Sequence, residues 1–239
     1  KAPRRPYKGP LACITYNLAQ TMTQTPVVGT PGTGFMDVTE DEFFNQVDNF
    51  IINEESFEPK AYRVKIPNKD GSFSEGEPTI GFGFEFYGDE KTRVQDGDTM
   101  TIEEARPLLR QKTKMIHSEW SKRYEGYNNL TKEQQAGLIS WAFNNGVNAL
   151  EELNEQGTGY ENKMMRAAVI NGDMDEIRRV LPMFRLGRRA DGTYGVLNGL
   201  VKRRGRELQL MNSTFPRVYN PFPEGSGKTP TNSSETTGP

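Results

Sequence analysis

Between residues 37 and 212 the chain alternates apolar and polar positions with the periods of packed elements. Residues 43–51 put Phe43, Phe44, Val47, Phe50 and Ile51 on one face at helical spacing, so Glu54 and Glu55 fall at or near the last turn of that helix. Capping boxes mark where helices start: Thr39 with Glu42, Thr101 with Glu104 and Thr131 with Gln134. In each, a side-chain oxygen and a Glu or Gln three residues on satisfy free backbone donors. The helix from Thr101 carries Leu108, Leu109, Ile116 and Trp120 on a shared face. The one from Thr131 buries Leu138, Ile139, Ala142 and Phe143, and ends at Asn144-Asn145-Gly146, residues that tolerate a left-handed C-cap. Further helices are expected around 161–171, 173–184 and 196–211, the last turning Leu197, Leu200, Val201, Leu208 and Met211 inward.

Between the first helix and Gly97 the period changes. Arg63-Val64-Lys65-Ile66 alternates, Asn68-Lys69-Asp70-Gly71 reads as a turn, and Thr79 to Phe86 reads as strand. A small antiparallel β lobe set into an otherwise helical chain is an α+β arrangement, with a cleft between the lobes. No internal repeat is evident.

Composition limits this domain to part of the chain. Only 34% of the 239 residues are hydrophobic, and ten of the fifteen prolines lie in residues 1–36 and 212–239. The expected organisation is an irregular N-terminal extension over 1–36, one domain over 37–212, and a low-complexity tail over 213–239. A net charge of −2 gives no global argument for nucleic acid or an anionic membrane. Charge is nevertheless segregated. Residues 37–58 hold eight acidic side chains and no Lys or Arg, whereas residues 185–206 hold seven Arg or Lys and one Asp. Cys13 is alone, so no intrachain disulfide is expected. No apolar run has the length of a membrane span or a signal peptide's core. A chain beginning at Lys1 is expected to be processed or to be a piece of a longer polypeptide.

Four segments, in order, resemble the phage-type lysozymes, the endolysin family of bacteriophages. Glu55 lies seven residues before the Tyr of Ala61-Tyr62, and Thr79-Ile80-Gly81-Phe82-Gly83 follows, like the family's Glu, Ala-Tyr and Thr-Ile-Gly-Tyr-Gly strand. The run from Gly97 to Leu109 looks like the family's segment after the β lobe. Phe143-Asn144-Asn145-Gly146 is similar to its Phe-Asn-Val-Gly, and Gly199-Leu200-Val201-Lys202-Arg203-Arg204-Gly205-Arg206-Glu207 to its Gly-Leu-Val-x-Arg-Arg-x-x-Glu. Together they cover about residues 43–211. The resemblance implies a lysozyme-like fold and a muramidase, cleaving between N-acetylmuramic acid and N-acetylglucosamine without a cofactor. Such a protein acts on the host cell wall. Lacking an export signal, it needs a holin, host lysis or a virion's injection apparatus to reach it.

Glycoside hydrolysis needs a proton donor for the leaving oxygen and a second group on the opposite face of the sugar. The resemblance makes Glu55 the donor; the bland alternative is an exposed helix-end carboxylate. Where the family has an Asp two residues after the tyrosine, this chain has Val64. The second carboxylate is therefore sought in the longer turn, among Asp70, Glu75 and Glu77, with Asp70 favoured. Thr79 matches the family Thr that positions the attacking water. Gly81 and Gly83 let backbone approach a sugar. Phe143 and Asn144 match a pair lining the family's cleft, and Arg203 or Arg204 matches the Arg that pairs with the catalytic Glu. Arg185, Arg188 and Arg189 could meet anionic wall polymer. His117, the only His, is expected to face solvent or pack structurally, so neither metal nor imidazole catalysis is supported. No nucleic-acid recognition motif is present. Two other readings stand beside the enzyme: a lysozyme-fold part of a phage tail or baseplate with weakened hydrolysis, its tails held by phage structural proteins, and a glycan-binding module.

Overall fold

The computed structural model describes residues 38–215 apart from 69, 71, 89–90, 152–158 and 190. The expected N-terminal extension, Cys13 and all but the first residues of the expected tail lie outside the described residues. The first helix, α1 (Glu40–Glu54), is followed by the β1 (Glu58–Pro67) and β2 (Phe73–Gly81) hairpin. Then come α2 (Ile102–Arg123), a short α3 (Glu125–Asn128), α4 (Lys132–Asn145), α5 (Tyr160–Asn171) and α6 (Met174–Val180). A second small hairpin, β3 (Leu186–Arg188) and β4 (Tyr194–Val196), precedes the last helix, α7 (Asn198–Met211). The arrangement is the expected α+β one, a small antiparallel β lobe beside a larger helical lobe.

All three capping boxes form. Thr39, Thr101 and Thr131 each accept from the backbone N–H three residues on, and the side chain at that third position bonds back to the cap. At the other end of α4, Gly146 has φ +101° and ψ 145°, a positive φ outside the left-handed helical basin expected for it.

α4 is the central element. Apolar residues and Gly137 cover nearly its whole circumference, as expected of a helix packed against α1, α2 and α7. Trp141 stacks near Trp120 (ring centroids 6.0 Å) and Phe184 (4.9 Å), and the Trp120 indole N–H donates to the Val147 carbonyl at 3.0 Å. Gly137 brings α7 close: a Cβ there would stand 2.5 Å from Met211 Cγ and 3.1 Å from the Glu207 carbonyl. That close approach puts one turn of α4, Ser140 to Asn144, against the charged face of α7.

The β lobe has its own small core of Ile80, Phe82, Phe84, Val94 and Met100. Two backbone bonds, Ala61 N–H to Asp98 and Met100 N–H to Pro59, run a third extended segment beside β1. The strand expected to reach Phe86 stops at Gly81. There the chain turns back on itself, with Phe84 N–H donating to the Ile80 carbonyl at 2.8 Å. Gly81 (φ +65°) permits this turn, and a Cβ there would stand 3.0 Å from both Met100 Sδ and the Phe84 ring.

Three expectations for the helical lobe are corrected. The β3–β4 hairpin and α3 occupy stretches read as connections, and α7 does not turn its aliphatic residues inward as a set. Val201 is exposed, and the fully covered side chains of α7 are Arg203, Arg204, Glu207 and Met211. His117 packs structurally, its Nδ1 2.8 Å from Tyr127 Oη and its ring beside Phe43 and Phe44.

Two glycines test the packing in opposite directions. A Cβ on Gly126 would fall 2.2 Å from the Gly172 nitrogen and 2.3 Å from the Ile170 carbonyl, backbone atoms that cannot swing aside. Gly126→Ala is expected to lower unfolding free energy by about 3 kcal/mol in urea denaturation. Gly205, inside α7, has nothing within 4 Å of such a Cβ, and Gly205→Ala is expected to raise it by about 0.5–1 kcal/mol.

Candidate active site

The site is assembled where the end of α1, one turn of α4 and the first half of α7 meet. Glu55 is the C-cap of α1: its N–H closes the last turn on Ile51 at 2.8 Å, and its extended backbone (φ −103°, ψ 134°) leads toward β1. Its carboxylate is 9% exposed, and Oε1 accepts from Arg203 Nη1 at 2.5 Å. Among the described residues no donor reaches Oε2. Glu54 is held separately, by a two-bond grip of Arg206 Nε and Nη2. The acidic and basic segments seen in the sequence thus meet in space, with adjacent glutamates taking arginines spaced one turn apart on α7.

Beneath Glu55 lies a closed charge cluster. Arg203 Nε donates to Glu207 Oε1 at 3.3 Å and its Nη2 to the Ser140 carbonyl at 3.4 Å. Arg204 Nη2 donates to Glu207 Oε1 at 3.1 Å and to Asn144 Oδ1 at 2.9 Å, and the Ser140 hydroxyl donates to Glu207 Oε1 at 2.9 Å. Glu207 is completely buried. Burial works against the Arg203 charge, but the Glu55 and Glu207 carboxylates outweigh it and hold the guanidinium above its ordinary range. Burial pushes the Glu207 carboxyl up, against the pull of Arg204 and Arg203.

The β ribbon meets this cluster at its base. Glu58, three residues after Glu55, is the ladder partner of Gly81, and the Phe57 ring packs on Phe82 at 5.5 Å. Glu55 is thus three residues along the chain from the position that pairs with Gly81. Thr79 is nearly buried and its hydroxyl donates to the Glu77 carbonyl at 3.1 Å. Gly83 is exposed at φ +90°, with nothing within 4 Å of where a Cβ would be, so its backbone is open to a ligand.

The structure does not bring Asp70 to this place. Thr79 pairs with Tyr62, and Asp70 lies beyond Pro67, the last residue of β1. At about 3.3 Å per residue the run from Tyr62 to Pro67 alone spans roughly 17 Å, more than two carboxyls sharing a water allow. Asp70 instead closes the hairpin tip, accepting from the Ser72 hydroxyl (2.6 Å) and N–H (3.0 Å). Those bonds hold its carboxyl below the usual range, which makes it a poor proton acceptor. Glu75 is no nearer. It pairs with Lys65, which alternation along β1 puts on the face of Arg63, opposite Tyr62 and Thr79. Arg63 feels both Glu75 and Glu77, and Glu77 also meets Arg93 at 3.5 Å.

The remaining expected residues divide. Both arginines are present, but only Arg203 reaches Glu55; Arg204 holds Asn144 and Glu207. Asn144 is buried, and Phe143 is half-buried against the core. Arg185 and Arg189 are exposed at the β3–β4 hairpin. Glu207 and Ser140 were not singled out from the sequence. Glu207 stands four residues after Arg203 and three after Arg204, the spacing of ion pairs on one helix, which was the available signal. Two surface cavities, of about 490 Å³ beside Leu150 and Arg166 and about 430 Å³ beside Phe44 and His117, lie away from Glu55. Among the described residues no group of three His, Cys, Asp or Glu side chains could hold a metal, and no helix is long and apolar enough to cross a membrane.

The family model for phage lysozyme matches residues 53–207, from the end of α1 to Glu207. Among solved structures, the muramidase domain of SpmX from Asticaccaulis excentricus is 22% identical, with 74% of this chain and 99% of that one covered at a TM-score of 0.47. The endolysin from Escherichia coli O157:H7 phage FAHEc1 is 20% identical, with 76% and 97% covered at 0.47. The active form of P1 phage endolysin Lyz is 21% identical, with 70% and 83% covered at 0.48. No curated protein matches the chain. The match over most of the described domain, ending at the glutamate that closes the cluster, shows that this chain belongs to the phage lysozyme family.

Proposed function

We propose that this chain is a peptidoglycan muramidase that hydrolyses the N-acetylmuramic acid–N-acetylglucosamine bond, with Glu55 as the proton donor. Family membership supports a lysozyme-type function on peptidoglycan. The observation that carries the residue assignment is the Arg203–Glu55 pair, with Glu55 three residues along the chain from the ladder partner of Gly81. One carboxylate oxygen is fixed by the guanidinium, and the other is left for the bridging oxygen of a glycan in the groove. Glu55 protonates that oxygen as the bond to the anomeric carbon breaks. A water oriented by the Thr79 hydroxyl adds at that carbon, and solvent takes its proton. Gly83 backbone and the Phe143 ring line the groove, and Asn144 is held in place by Arg204. Asp70 has no part in this scheme, a choice supported by its distance along the ribbon from Thr79. The protein acts on peptidoglycan strands of the host wall.

A second reading is favoured by one observation. Asp70 closes the hairpin tip, Glu75 lies beside Arg63, and Glu77 is engaged by Arg93. A lysozyme-fold protein whose hairpin carboxylates are all so occupied is suited to a weakened or structural role, including a part of a phage tail or baseplate.

One experiment separates them: clearing of purified sacculi, with analysis of the released muropeptides. Under the muramidase reading the wild type clears sacculi and leaves muramic acid reducing ends, and Glu55→Gln loses at least about 10³-fold, the scale of a lost general acid. Glu54→Gln, which removes the neighbouring pair with Arg206, keeps most activity. A wild type as inert as Glu55→Gln establishes the second reading instead.

Two further substitutions test the ribbon. Thr79→Val, which keeps the shape and removes the hydroxyl, is expected to lower the rate on the order of 10²-fold. Asp70→Asn is expected to leave it within about two-fold, since the residue titrates at an exposed tip. A large loss in Asp70→Asn returns the base role to the hairpin.

A further inference from the structure

One carboxylate in the cluster has no part in the chemistry proposed above, and it is the most buried of all. Glu207 accepts from Ser140 and from both arginines, and its Oε2 lies 2.9 Å from Arg204 Nε. Arg203 therefore faces two carboxylates at once, Glu55 through Nη1 and Glu207 through Nε. Only one of them reaches the groove.

The charges around this pair can be followed element by element. From α1 come Glu54 and Glu55, and Glu54 is engaged by Arg206. From α7 come Arg203, Arg204, Arg206 and Glu207; α4 contributes the uncharged Ser140 and Asn144. No charged group of β1 or β2 bonds to Arg203 or Glu55 among the described residues. With Glu54 balanced by Arg206, the inner group of Glu55, Glu207, Arg203 and Arg204 is neutral when Glu55 is ionised and carries one positive charge when Glu55 is protonated. Take Glu207 away and each state gains a further buried positive charge. That cost falls hardest on the protonated state, the one that delivers a proton. Burial favours a protonated Glu207, yet a neutral Glu207 would leave two buried guanidinium groups facing Glu55 alone. The ionised form is the one this geometry accommodates.

We infer that Glu207 is a positioning residue, the buried counter-charge that balances Arg203 and Arg204 while aiming Arg203 at Glu55 and Arg204 at Asn144. This rests on Glu55 being the donor. The remote carboxylate would set the upper pH limit of hydrolysis without touching substrate.

The test uses the full chain, purified sacculi, and carbon-13 NMR of the Glu55 carboxyl. Glu207→Gln removes the charge at nearly constant shape. It is expected to move the pH at which hydrolysis falls off downward by about one unit, with the Glu55 titration moving the same way. Arg204→Met leaves Glu207 to Arg203 alone and is expected to move both upward. Glu207→Asp keeps the charge and is expected to return both toward the wild-type position. A Glu207 that only holds the helices together would lower the rate equally at every pH, leaving the limb and the titration where they were. That result overturns the inference. If Glu207→Gln does not fold, the upward shift in Arg204→Met decides, and its absence is equally fatal. A wild type without hydrolysis, but with Glu55 titrations displaced in the two expected directions, would sink the muramidase reading and leave the charge balance standing.

Discussion

Arg203 and Arg206 reach from neighbouring turns of α7 onto Glu55 and Glu54, and Glu207 binds Arg203 and Arg204 from below. Everything else at the site is arranged around that cluster. Buried ion pairs seldom add stability on balance, since desolvating the charges costs about as much as their attraction returns. The fold is instead stabilised by burying the aromatic side chains around Trp120 and Trp141, and by the close seat of α7 on Gly137. What the charges contribute is register. A one-residue slip of α7 would separate Glu207 from Ser140 and from one of its arginines and leave buried charge uncompensated, an error of several kcal/mol.

The ribbon obeys a different constraint. Its alternation sends Thr79 and Tyr62 to one face and Arg63 with Glu75 to the other, and the ladder irregularity between Arg63 and Lys65 accompanies the shared proximity of Glu75 and Glu77 to Arg63. Asp70 therefore lies outward along the strand and Glu75 on the Arg63 face. An acid placed in the turn for sequence reasons does not arrive at the cleft for structural ones.

Much of the fold was legible. The three capping boxes, the period of α1, α2 and α4, and the change of period at β1 are local properties, and local properties survive folding. The pairing of Glu55 with Arg203 was legible because motif context fixed the register of both residues. The misses share a cause. α7 was oriented by its aliphatic residues, on the assumption that charge faces water, whereas its inner side is Arg203, Arg204 and Glu207, each ion-paired with another charged side chain. Asp70 was favoured from its turn, but its distance from Thr79 depends on how many ladder pairs separate them, and that number follows from pairing and bulges. The β3–β4 hairpin is only three residues a side, too short for its alternation to stand out from the loop around it.

The 148 residues between Glu55 and Arg203 carry a consequence for synthesis. The first helix and the ribbon leave the ribosome early, while the guanidinium that steadies the acid belongs to the last helix. Until that helix has emerged and docked on Gly137, Glu55 has no cation to fix its orientation, and the face of α4 that receives α7 stays wet. The pairing of Glu55 with Arg203 is thus a late event of folding, reached only when α7 has docked.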